Sequence, residues 1–189
     1  MRVCRVRAVV CGWIVSACAA WAEPTAQWRV ELLKGVSAVD SGGAPGVVLC
    51  GGDAAFPVVG AACGKATLPV VAAAAYGKGR VLAFGHPSFC SAEGLAKSDT
   101  AVLVDNALRW LGQGRTSVAV YKNDDFAKAL RARGGVEVSE IPSLDALSAN
   151  VAVLAAYPDS VPAGDLERVR AFVTNGGGLL ASGIGWGWQ

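Results

Sequence analysis

One histidine and one methionine occur among 189 residues, and charged residues make up only 17% of the chain. A single imidazole, His86, excludes any metal centre built on two histidines, and no CxxC or HxxxH spacing accompanies the cysteines. No apolar run is long enough to cross a bilayer: Ala8 to Ala20 falls short of the roughly 20 residues a spanning helix needs. No internal repeat period occurs. Gly77-Lys78-Gly79-Arg80 lacks the order of a phosphate-binding Walker loop and sits between two strand-like segments, so it reads as a hairpin turn. Gly183-Ile184-Gly185-Trp186-Gly187 is followed by no helix that would receive a pyrophosphate. No cofactor is expected.

What is present is a globular composition, 53% hydrophobic and rich in Ala, Val and 24 glycines, which suits thin helices laid on a β-sheet. The first 22 residues read as an export leader. Arg2, Arg5 and Arg7 precede the short apolar run, and Ala20-Trp21-Ala22 offers a cleavage site before Glu23. Val15-Ser16-Ala17-Cys18 competes as a lipobox, which would anchor the protein to a membrane only through lipid on Cys18. Without the leader, fourteen basic residues face fifteen acidic ones, so the basic character departs and nucleic acid is not an expected partner. Cys50, Cys63 and Cys90 remain. A Cys50–Cys63 bridge would stabilise by up to about 3 kcal/mol, and three reduced cysteines is the competing reading.

Periodicity divides the mature chain into a unit over 23–114 and a second over 115–189. The first carries a helix over Ala26 to Val36, short strands at Val47 to Cys50 and Phe56 to Val59, and a hairpin of Pro69 to Tyr76 with Arg80 to Gly85. A helix over Asp99 to Leu111 follows, capped by Ser98 or Asp99 and stopped by Gly112. The second alternates: strands at Ser117 to Tyr121, Val136 to Ile141, Val151 to Tyr157 and Leu179 to Ile184, and helices over Asp124 to Arg133 and Asp165 to Thr174, with a helical turn over Leu144 to Ala149. Near-continuous apolar strands alternating with helices predict an α/β fold, a parallel sheet wound into a flavodoxin-like three-layer sandwich. The hairpin unit precedes it as a small α+β element. No covering helix follows the last strand, so the fold reads as incomplete at its C-terminus, with Trp186 and Trp188 packing against a further segment.

The blocks LLKGVSAVDSGGAPGVVLCGGDAAFPVV, VVAAAAYGKGRVLAFGHPSF, NALRWL and DLERVRAFVTNGGGLLASGIGWGW resemble the N-terminal region of the channel-associated factors of transient-receptor-potential channels and their bacterial relatives. The resemblance implies a class I glutamine-amidotransferase-like fold here and an enhancin-like, mucin-directed zinc metallopeptidase domain downstream. The peptidase requires HExxH, which this chain lacks. An amidotransferase-like site requires a cysteine on a strand-to-helix turn, and the turns after Tyr121, Tyr157 and Ile184 hold none.

The remaining candidate pocket gathers His86, Ser88, Asp124 and Asp159 at the ends of strands, where open α/β sheets bind ligands. The competing reading of Asp124 is helix capping, and that of His86 a loop residue bonded to the backbone. Two functions follow. The chain is an exported, non-catalytic accessory or binding domain, whose candidate partners are a glycan or a downstream peptidase domain. Alternatively it is a small hydrolase using Cys90 as nucleophile and His86 as base. A truncated gene product without its own role is the third reading.

Overall fold

The computed structural model describes residues 23–183. Residues 1–22, with Cys18, and residues 184–189, with Trp186 and Trp188, lie outside the described residues, so the expectations placed on them lie outside as well. Helix α1 spans Glu23–Leu32, and strands β1 Ala55–Cys63, β2 Ala66–Tyr76 and β3 Gly79–Phe84 follow. A 3-10 turn at Pro87–Cys90 leads to the short helix α2 Ala92–Leu95 and the long helix α3 Thr100–Gly112. Then come β4 Ser117–Tyr121, α4 Asp124–Arg133, β5 Glu137–Ile141, β6 Val153–Ala156, α5 Leu166–Thr174 and β7 Gly178–Ser182.

All seven strands form one mixed sheet in the order β1-β2-β3-β7-β6-β4-β5. The first three are antiparallel, and β3, β7, β6, β4 and β5 run parallel. Strand β3 lies beside β7 in register from Arg80↔Gly178 to Phe84↔Ser182, so one sheet runs through both segments expected from sequence. The β2–β3 turn has Gly77 at φ 59°, as a two-residue hairpin with glycine first demands.

The central strands β4 and β6 are buried on both faces, which their unbroken Val and Ala runs require. One face carries α3 and α4, through Leu103, Leu108, Leu111, Phe126 and Leu130. The other carries α5, through Val169 and Phe172. The helices fall on opposite faces because the chain steps one way from β4 to β5 and the other way from β6 to β7, each by a right-handed crossover. Both outer edges are guarded. Strand β5 exposes Glu137 and Glu140, and β1 carries Pro57 and two register shifts.

Three local expectations are corrected. Val47 to Cys50 forms no strand: it is an extended strip whose Val48 N–H donates to Pro69 O at 2.8 Å, continuing the line of β3 after that strand ends. Asp99 sits at the start of α3, but its carboxylate does not cap the helix. It accepts from Ser37 N and Ala38 N at 2.8 and 3.1 Å, which holds its pKa below the usual carboxylate range. Gly112 is the last helical residue, and Gln113 at φ 51° makes the left-handed stop.

A crevice at the carboxyl ends of the strands

The parallel strands β3, β7, β6 and β4 end on one side of the sheet, and the polar loops that follow them meet there. Strand β3 runs out at Phe84, and the chain turns through His86 into the 3-10 turn. His86 Nδ1 accepts from Ser88 N at 3.2 Å, which caps that turn. The imidazole is covered by a glycine loop. A Cβ on Gly43 would lie 2.8 Å from Cε1 and Nε2 of the ring, so a side chain there would push the imidazole aside. Phe89 and Cys90 then point into the core, with Phe89 stacked on Phe84 at 4.9 Å between centroids.

Asn123, in the turn from β4 to α4, ties the loops together. Its Oδ1 accepts from Phe126 N at 3.2 Å as the helix cap, and its Nδ2 donates to Cys90 O at 3.1 Å and to the Tyr157 hydroxyl at 2.7 Å. The preceding Lys122 has φ 53°, so the β4–α4 turn is the kind of sharp strand-to-helix bend that can present a nucleophile. The residue on it is an exposed lysine whose ammonium lies over the Tyr121 ring at 4.9 Å.

A cavity of about 380 Å³ opens between these loops, lined by Pro87, Tyr157, Asp159, Ser160, Ser182 and Gly183. Of the residues singled out from sequence, Asp159 lines it, while His86 and Ser88 bond to each other beside it. Asp124 stands apart at the exposed first turn of α4. Its neighbour Asp125 accepts from Ala92 N at 2.9 Å and so fastens α2 to α4. Sequence reasoning missed Asn123, Tyr157 and Ser182. An asparagine between a buried strand and Asp-Asp was a readable N-cap signal. The contact of Ser182 with Cys90 joins positions 92 residues apart and had no local signature.

The thiol–imidazole pair does not form. Cys90 is 1% exposed, and its side chain is hydrogen-bonded to Ser182 instead of His86. Burial pushes the Cys90 thiol up to about 12, opposed only in part by the Ser182 bond, whereas a nucleophilic cysteine needs its pKa lowered. Tyr157 is likewise pushed up to about 12, by burial first and then by Cys90 and Asp125. Cys50 and Cys63 are exposed free thiols, so the bridge weighed from sequence is not formed. Among the described residues no group of three His, Cys, Asp or Glu side chains could hold a metal ion.

These environments set a pH dependence. Cys90 stays neutral when folded but ionises near 8.5 once unfolded, so the unfolded chain binds fewer protons between that value and about 12. Stability is therefore full below about pH 8.5 and falls as pH rises above it. Urea midpoints measured from pH 8 to 11 are expected to fall more steeply for the wild type than for Cys90→Ala. Iodoacetamide should modify Cys50 and Cys63 under native conditions and leave Cys90 untouched. Equal pH slopes, or prompt labelling of Cys90, would contradict the buried environment.

The family model described as the TRPM8, N-terminal domain matches residues 8–189. TRPM8 channel-associated factor 2 of Bos taurus is 34% identical over 169 residues, covering 88% of this chain and 17% of that protein. TRPM8 channel-associated factor 2 of Homo sapiens is 32% identical over 171 residues, covering 89% of this chain and 17% of that protein. The chain thus spans about a sixth of the length of these curated relatives. Among solved structures, the IMPa metallopeptidase from Pseudomonas aeruginosa matches with a TM-score of 0.68 at 18% identity, over 84% of this chain and 19% of that one. The same protein in complex with an O-glycopeptide gives 0.67 at 21% identity, over 85% and 20%. At such identities the structural likeness shows a shared fold.

Proposed function

Because this chain belongs to the TRPM8 channel-associated factor family, through its N-terminal domain, we propose that it is a non-catalytic accessory or binding domain. The observation that carries this reading is the state of Cys90. Among the described residues the one thiol at the strand ends is buried, hydrogen-bonded to Ser182 and held protonated, and the sharp β4–α4 turn presents Lys122 where a nucleophile would stand. A flavodoxin-like relation of the parallel strands belongs to the same proposal. From β4 onward their spatial order is second, first, third, fourth, and β3 takes the fifth place. The partner this reading favours is a metallopeptidase domain, since the matched structures are metallopeptidases of which this fold occupies a fifth. Export, by cleavage before Glu23 or lipidation of Cys18, completes the proposal and rests on the leader-like residues 1–22.

One preparation tests both parts. Protein recovered from the exported fraction of its host should begin at Glu23, or at a lipidated Cys18, by mass spectrometry. It should leave glutamine, aryl esters and aryl amides unhydrolysed. Turnover that disappears in Cys90→Ala or His86→Ala would overturn the non-catalytic reading, and an intact Met1 on cytosolic protein would overturn export.

A further inference from the structure

At the opposite end of the sheet, where β3 begins, a second cavity of about 780 Å³ lies between α1, α3 and Arg80. This size is within the range of small-molecule sites. Its charged lining is Lys34, Arg80 and Arg109, with Glu31 as the one acid. None of the three cations forms an ion pair with a carboxylate among the described residues.

Arg80 is the unusual member. Its guanidinium lies 5.0 Å from the Trp28 ring centroid and 4.9 Å from that of Trp110, and its Nη1 donates to Trp110 O at 2.8 Å. The two indoles hold a planar cation in a fixed orientation, with part of its donor fork uncommitted. Burial works against that charge, and the Glu31 carboxylate partly offsets it. The indole N–H of Trp110 is itself buried without an acceptor among the described residues.

Two helix C-termini face this region, and each would bring about half a negative charge. Some of the carbonyls there are already engaged. Arg80 takes Trp110 O, and the Asn106 side chain donates to Leu32 O and Lys34 O at 3.0 and 2.8 Å. Asn106 Oδ1 in turn accepts from Arg109 at 2.6 Å and holds that guanidinium at the rim. Three cations against one carboxylate and two partial charges leave the cavity positive.

We propose that this cavity is a binding site for a small multivalent oxyanion, with Arg80 as the fixed donor at its base and Lys34 and Arg109 closing on the ligand from the rim. Half-buried Arg80, shielded by the two indoles, gains more from an anion than the exposed Lys34 and Arg109 at the rim do. The site is separate from the crevice at the strand ends and independent of the accessory role proposed above.

The test uses the whole chain, with inorganic phosphate and citrate as probes and chloride at matched ionic strength as the reference. Calorimetry and tryptophan emission should show saturable binding, the emission because Trp28 and Trp110 flank Arg80. Citrate binding without phosphate binding would assign a carboxylate ligand, and saturation by phosphate an oxyanion of that type. Lys34→Gln and Arg109→Gln change side chains at the rim and should each weaken binding by about two- to fivefold, while Glu31→Gln should strengthen it by a similar factor. Arg80→Gln should abolish binding, and the rim variants keep the test decisive if that protein does not fold. No saturation beyond the chloride reference, or unchanged affinity in both rim variants, overturns the proposal.

Discussion

Replacing Phe89 with alanine is expected to cost about 3–5 kcal/mol of folding stability, as large-to-small changes of buried aromatic residues do. Phe89 is fully buried, stacks on Phe84 at the end of β3, and holds the 3-10 turn against the core. Its loss removes contacts on a turn that also carries His86 and Cys90, and the backbone there is pinned by Asn123 and cannot simply collapse inward. Urea denaturation at neutral pH reads the cost. Iodoacetamide should then reach Cys90, because the same turn shields it. A loss under about 1 kcal/mol with Cys90 still protected would show that the strand ends are held without this ring.

Replacing Gly79 with alanine should cost about 3 kcal/mol, toward the top of the usual range for overpacking. A Cβ at Gly79 would sit 2.2 Å from both Gly177 O and Val173 O, and these are backbone atoms with nowhere to move. Beside it, Lys78 N donates to Thr174 O at 3.0 Å and Arg80 N to Gly177 O at 3.3 Å. The new methyl group would force β3 away from the β7 entry and loosen both bonds. Gly51→Ala is the matched control, because nothing lies within 4 Å of its added carbon, and it should shift stability by no more than about 0.5 kcal/mol. Thermal melts of the two variants measure the contrast, and equal melting temperatures would remove the close approach as a constraint.

Local chemistry was legible where sequence signals agreed with one another. The bounds of β4 and α4 follow from an unbroken apolar run, a polar turn and a 3.6-residue pattern ended by glycine. The helix over Asp99 to Leu111 was placed to within a residue for the same reason. Errors arose where a residue's local role lost to a distant one. Asp99 reads as a cap until the strip at Ser37 and Ala38 arrives with two unsatisfied N–H groups. Val47 to Cys50 has strand composition, but β2 already carries β3 on that side for most of its length. In the crevice, Asp159 was readable because it follows a buried strand. Tyr157 and Ser182 were not, because their importance depends on which strands become neighbours, and pairing across the sheet leaves no mark on either segment alone.

The pairing of β3 with β7 has a consequence for how the chain reaches its native state. Arg80 and its partner Gly178 are 98 positions apart, and β7 is the last of the seven described strands to leave the ribosome. Before it emerges, the β1–β3 meander and the β4–β6 unit can each form from contacts close in sequence, while their union must wait. During that interval β3 and β6 both present an unpaired edge, and the β6 edge is Val-Leu-Ala-Ala with no charge to deter another chain. Strand β7 is thus a keystone delivered late, and the slow, association-prone stage of biogenesis is the time before Gly178 to Ser182 slides between its two neighbours.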